Sequence, residues 1–193
     1  MKNSTLFLLS AGLCLFTSFT TAQPRPTIRA GFNYGGFSGY DGGKKTGIHA
    51  GISMQWTINR KWKVQPELLY SGTRQQYSAE ESEAPVVKTL FVSYAALPVM
   101  VQYHPGSNFY LETGPQLSFL ITAKDKSSTV GKTDVRRNLT NTQIGMNFGA
   151  GLQINLRNGF YVRYSLGLSD VTIYNANADY SRIVQGGFFF RLK

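Results

Sequence analysis

The chain has 193 residues, a formal net charge of +10, 42% hydrophobic residues, 13% aromatic residues and 20 glycines. That apolar and aromatic content excludes a disordered chain, and the length suits one domain of ordinary size. Cys14 is the only cysteine, which excludes a disulfide framework.

Residues 1–22 read as a secretory signal peptide, leaving 23–193 as one domain. Lys2 supplies the positive start, an apolar run extends from Leu6 to Phe16, and Thr20 and Ala22 flank a cleavage point before Gln23. Ser10, Gly12 and Thr17 break the run too often for a membrane anchor. Leu13 is too large to precede a lipid-modified cysteine. Removal of this segment leaves no cysteine at all. No later run of ~18 apolar residues offers a transmembrane helix.

From Thr27 the chain alternates with a period of two, the mark of strands with two unlike faces. Ile28, Ala30, Phe32 and Tyr34 face one way; Arg29, Gly31, Asn33 and Gly35 face the other. A glycine-rich turn leads to 47–57, where Ile48, Ala50, Ile52, Met54 and Trp56 oppose His49, Gly51, Ser53, Gln55 and Thr57. The third strand sets Val64, Pro66, Leu68 and Tyr70 against Gln65, Glu67, Leu69 and Ser71. A long polar connection is expected over 73–88. The fourth strand, 90–103, is the least regular, and Pro98 is expected to mark a bulge or register change. Its apolar face resumes as Leu97, Val99, Val101 and Tyr103.

The fifth strand sets Phe109, Leu111, Thr113, Pro115, Leu117, Phe119 and Ile121 against Tyr110, Glu112, Gly114, Gln116 and Ser118. After a polar stretch at 123–140, residues 141–156 show the cleanest pattern in the chain. Ile144, Met146, Phe148, Ala150, Leu152 and Ile154 form one face; Gln143, Gly145, Asn147, Gly149, Gly151, Gln153 and Asn155 form the other. This is about twice the usual ~5–6 residues of a soluble strand. It suits a tilted membrane crossing of ~9–11 residues. Asn158-Gly159 signals a hairpin turn. Then Phe160, Val162, Tyr164, Leu166 and Leu168 form the outer face of the seventh strand, and Val184, Gly186, Phe188, Phe190 and Leu192 that of the eighth.

Connections alternate long and short, as in a membrane barrel with long extracellular loops and tight periplasmic turns. The expected fold is therefore all-β, an antiparallel up-and-down transmembrane β-barrel of about eight strands. A soluble barrel also alternates, but with its apolar face inward. Two features place the apolar face outward. Glycines crowd the polar face (Gly31, Gly47, Gly51, Gly114, Gly145, Gly149, Gly151, Gly167), where a narrow interior needs space. Aromatics near strand ends on the apolar face, Trp56, Tyr70, Tyr103, Phe109 and Phe160, suit a girdle at the membrane boundary.

On this arrangement Arg29, Glu67, Glu112 and Arg163 fall in the lumen at similar depth. Unpaired ions there would be costly, so a salt-bridge network is expected. It reads either as a polar core or, less simply, as a gate or proton path. The basic residues Lys124, Lys126, Lys132, Arg136 and Arg137 follow the fifth strand, where lipopolysaccharide phosphates would meet them.

Several stretches resemble the PorT-like outer-membrane β-barrel family: VQPELLYSG at 64–72, ALPVMVQYHP at 96–105, YLETGPQLSFLI at 110–121, NFGAGLQI at 147–154 and YVRYSLGLSDV at 161–171. The YAALP stretch is less regular than the strand that usually precedes this proline. The resemblance implies a small outer-membrane barrel. The family's namesake takes part in protein secretion and surface motility, and the resemblance supplies no catalytic residues.

No catalytic, metal or cofactor motif is present: His49 and His104 are the only histidines, and Gly149-Ala150-Gly151 lacks the context of a dinucleotide loop. A Ser-His hydrolase would need a histidine at the rim beside a serine and a carboxylate. Glu67 and Glu112 as a hydrolytic pair would have no room for a sugar. Nucleic acid is not an expected partner, because the lysines share no groove with stacking aromatics. The expected partners are outer-membrane lipid, lipopolysaccharide and a protein met by the long loops, with the chain a monomer. A non-enzymatic interaction role is the first reading, a narrow pore or transporter the second, and a lipid-modifying enzyme the third.

Overall fold

The computed structural model describes residues 24–37, 45–81, 84–127, 131–134, 140–169 and 180–192. The signal peptide expected over residues 1–22 lies outside the described residues, as do Arg136 and Arg137. Nine strands are described: β1 (Arg25–Phe37), β2 (Lys45–Thr57), β3 (Trp62–Glu81), β4 (Ala84–Tyr103), β5 (Phe109–Ser127), β6 (Gly131–Asp134), β7 (Thr142–Gln153), β8 (Asn158–Gly167) and β9 (Ser181–Arg191). All pair antiparallel. The order β4-β3-β2-β1-β9-β8-β7-β5, closed by β4 on β5, makes an eight-stranded barrel. The ninth strand, β6, pairs only with β5, through Lys124↔Asp134 to Ser127↔Gly131. It lies beyond the closed wall.

The barrel is inverted relative to a soluble one. Arg29, His49, Glu67, Glu112, Asn147 and Arg163 are buried inside, while Phe32, Ile52, Phe148 and Val162 stand at least half exposed outside. An apolar wall this extensive is stable only against lipid, and closure leaves the crossing strands no open edge. The outer faces expected for β1, β2, β3, β5, β7, β8 and β9 are the observed ones.

Two expectations are corrected. First, 73–88 is not a connection. β3 and β4 run through it as a long hairpin, pairing from Thr73↔Val92 to Glu81↔Ala84. Without lipid on one side the apolar alternation that reveals a crossing strand is lost, while Thr73, Tyr77, Val86 and Val87 still favour extended backbone. Part of 123–140 is likewise strand, in the β5–β6 hairpin. Second, Pro98 is in register, opposite Gln116. The bulge lies instead between Ser93 and Tyr94, where Tyr94 pairs with Leu120 and Ser93 with Thr122, leaving Ile121 as the extra residue. A missing N–H interrupts bonding without shifting register; an inserted residue shifts it. The inner face also has an apolar part. Leu69, Leu90, Val92, Ala96, Met100, Leu120 and Ala123 are buried in it. β4 is therefore apolar on both faces, and this blurs its period.

Candidate functional site

The most elaborate arrangement of charge is in the lumen. Arg29 on β1, Glu67 on β3, Glu112 on β5 and Arg163 on β8 converge there, their side chains 0–1% exposed. Arg163 lies between both carboxylates. Its Nη1 donates to Glu67 Oε2 at 2.9 Å, Nη2 to Glu67 Oε1 at 3.0 Å and to Glu112 Oε1 at 2.8 Å, and Nε to Glu112 Oε1 at 3.0 Å. Arg29 Nη1 donates to Glu67 Oε1, and its Nη2 stands 3.7 Å from Glu112 Oε1. Two positive and two negative charges cancel, which is what makes their burial tolerable.

The quartet is held by neutral neighbours. Gln65 donates to Glu67 at 2.7 Å, Gln102 to Glu112 at 3.0 Å, and Gln55 to Gln102 at 2.7 Å. The Arg29 guanidinium carbon lies 3.8 Å from the centre of the Tyr161 ring, a cation–π contact. On the extracellular side, Asn33 Nδ2 donates to the carbonyls of Ile48 and Gly72 and to Ser71 Oγ. Its Oδ1 therefore accepts from His49 Nδ1 at 2.7 Å. This fixes the tautomer: His49 Nε2 is the acceptor for the Tyr161 hydroxyl at 2.5 Å. On the periplasmic side Tyr110, Tyr161 and Phe189 form an apolar cluster, and His104, just past β4, stacks on Tyr110 at 5.2 Å. Burial, with Lys63 and Arg191 nearby, holds the His104 pKa down to about 4, against a smaller upward pull from Glu112.

Glycines supply the space. Gly149 pairs with both Glu112 and Arg163, and a Cβ there would meet Glu112 Cγ and Arg163 Cα at 3.2 Å. A Cβ at Gly151 would fall within the Tyr110 ring, and one at Gly187 would meet the Tyr161 hydroxyl at 2.7 Å. Two lumenal cavities beside the quartet are small: about 30 Å³ beside Ser71, Ser118 and Gln143 above it, and about 10 Å³ beside Gln55 and Arg191 below it. These hold one or two waters at most.

Both carboxylates are spent on arginines, so Glu67 and Glu112 are not free to act as an acid–base pair. His49 is deep in the lumen and His104 is on the periplasmic side. Of the aromatics expected in a girdle, Tyr70 lies toward the extracellular end of its strand, and Trp56, Tyr103, Phe109 and Phe160 lie at the short-turn ends of theirs. Trp62, against Tyr103 at 4.9 Å, and Phe188, against Phe160 at 5.6 Å, join them. Lys124 is exposed on the outer face of β5. Lys126 and Lys132 stand opposite each other in the β5–β6 ladder, with side chains outside the described residues. Sequence reasoning missed the centrality of Tyr110, Tyr161 and Phe189. Their position on a glycine-rich polar face was the available signal.

A closed eight-stranded barrel with an apolar exterior and an ion-filled lumen is the architecture of a small outer-membrane protein. The chain belongs to the outer membrane protein beta-barrel domain family, whose model matches residues 22–172. It is a protein of the outer membrane. Its fold is similar to that of Neisserial surface protein A, with a TM-score of 0.56 at 15% identity over 86% of this chain and 97% of that one. Ail, the attachment invasion locus protein of Yersinia pestis, gives 0.50 at 15% identity over 88% and 99%. Ail in complex with the heparin analogue sucrose octasulfate gives 0.51 at the same identity and coverage. No curated protein matches this sequence.

Proposed function

We propose that this protein is a non-enzymatic interaction protein, exported by cleavage of residues 1–22, whose barrel anchors a β-sheet that presents a surface above the membrane. One observation carries this reading: the hairpin of β3 and β4, each 20 residues long, continues far past the ~9–11 residues that a crossing needs. Among the described residues β2 pairs with β3 only up to Gly72, so 73–81 projects with β4 as its one described partner. The PorT-like resemblance favours an accessory role in protein secretion or surface assembly. Lys124, Lys126, Lys132, Arg136 and Arg137 are proposed to meet lipopolysaccharide phosphates.

The pore reading has less support, because the quartet occupies the lumen and the cavities beside it are no larger than about 30 Å³. The test replaces 75–90 with a short turn and confirms the barrel by heat-modifiable migration. A changed set of surface or secreted proteins, with no stable current from the wild type in planar bilayers, is the expected result. An unchanged surface together with a steady open current would overturn the proposal in favour of a pore.

A further inference from the structure

A concavity lies on the outer wall, at the level where the extended hairpin outruns its pairing with β2. It has a volume of about 300 Å³ and spans β1 to β4. One cross-strand row forms its floor: Phe32↔Ile48, Ile48↔Gly72, Gly72↔Ser93. Gly72 makes the hollow. It has no side chain, and a Cβ there would lie 3.6 Å from the Tyr70 ring, in ordinary contact. Tyr70 is fixed beside it, its hydroxyl 2.8 Å from Ser93 Oγ.

The next outward row is Arg74↔Phe91 and Phe91↔Lys124. The Arg74 guanidinium lies 5.2 Å from the Phe91 ring. The bulge at Ile121 matters here. It reverses the faces of β5, so that Ala123 turns inward and Lys124 turns outward beside Phe91. Lys124 also stands opposite Asp134 of β6. The groove is thus apolar at Phe32 and Ile48 and cationic at its extracellular end, where Arg74 lines it and Lys124 stands one strand beyond, opposite Phe91.

We propose that this groove binds one phosphorylated, acylated lipid of the outer leaflet, with an acyl chain over Gly72 and a phosphate against Arg74 and Lys124. The order of chemistry along the groove, apolar then cationic, matches the order of chain then headgroup in such a lipid. The proposal rests on the lipopolysaccharide contact proposed above for Lys124, to which it gives a defined site, and is independent of which protein the sheet above meets.

The test is native mass spectrometry of the full chain folded in detergent, with bisphosphorylated lipid A as the probe. The same lipid without phosphates, phosphatidylglycerol and inorganic phosphate are the comparisons. The wild type is expected to retain one lipid A. Arg74→Gln with Lys124→Gln should lower retention about tenfold. Gly72→Phe, which fills the floor, should do the same while migrating as a folded barrel. Arg157→Gln, in a periplasmic turn, should leave retention unchanged. Equal retention of the dephosphorylated lipid, wild-type retention by either groove variant, or a loss with Arg157→Gln would overturn the site. Retention of phosphatidylglycerol but not lipid A would assign it to a phospholipid and overturn the glycolipid expectation. Binding of inorganic phosphate alone would overturn the acyl half.

Discussion

Glu67→Gln tests the lumenal network most directly. The carboxylate accepts from Arg29 Nη1, both terminal nitrogens of Arg163 and Gln65 Nε2. The amide keeps the shape but removes the charge, and it aims its own N–H groups at a guanidinium. The lumen is left with two buried arginines and one carboxylate. Breaking a buried pair in this way costs about 3–5 kcal/mol, because the uncompensated charge stays buried. The two arginines are unequal. Arg163 donates to both glutamates, whereas Arg29 leaves Nε and Nη2 without hydrogen-bond partners. Arg163→Met should therefore cost more than Arg29→Met. Glu67→Gln combined with Arg29→Met restores neutrality and should cost less than the sum of the two. Urea unfolding in lipid vesicles, followed by heat-modifiable migration, measures each loss. A loss below about 1 kcal/mol for Glu67→Gln would mean that the lumen solvates charge on its own, and the argument would fail. So would an Arg29→Met loss equal to that of Arg163→Met.

Two further outcomes follow from the packing below the quartet. Gly151→Ala puts a Cβ into the Tyr110 ring, which is held between His104 at 5.2 Å and Phe189 at 6.3 Å. It should cost about 1–3 kcal/mol in the same unfolding measurement. Gly186→Ala is the control, since nothing lies within 4 Å of its added methyl, and it should be neutral. His104 should keep a neutral ring down to about pH 4, against an ordinary value of 6.5, as read from its NMR ring shifts. Because the folded pKa is the lower one, the unfolded chain takes up the proton first as pH falls. Stability from this residue is full above about pH 6.5 and is lost between there and about pH 4. His104→Phe should flatten that slope, and an unchanged slope would place the titration elsewhere.

The barrel itself was legible because lipid and a crowded lumen impose opposite demands on alternate residues. Wherever both demands act, as from Ile144 to Leu152, the pattern is unmistakable. It faded in two places for physical reasons. On β4, Leu90, Val92, Ala96 and Met100 face an apolar part of the lumen, so both faces read alike. Over 73–88 there is no lipid outside, so a paired hairpin looked like a polar connection. The meeting of Arg29, Glu67, Glu112 and Arg163 was legible from their shared depth near short turns. The unequal roles of the two arginines were not. They depend on side-chain reach across the lumen, which no spacing along one strand records. The bulge at Ile121 was equally hidden, and it decides which way Lys124 points.

A buried ion network is a poor source of net stability, since apolar residues of like volume would often serve as well. What the quartet supplies is discrimination between registers. Its members come from β1, β3, β5 and β8, and β4 is tied in through Gln102 on Glu112. A one-residue slip of β1, β3, β5 or β8 would turn an Arg or Glu outward, and a slip of β4 would turn out Gln102. An arginine on the lipid face costs about 2–4 kcal/mol near the midplane, before the stranded partners inside are counted. This matters most for β3, β4 and β5, whose upper halves lack the alternation that would set register by itself. Their extracellular pairings, Thr73↔Val92 and Phe91↔Lys124 among them, continue the ladders locked below. The interior charges thus hold the geometry of a surface that they never touch, and it is on that surface that the protein's interactions are proposed to lie.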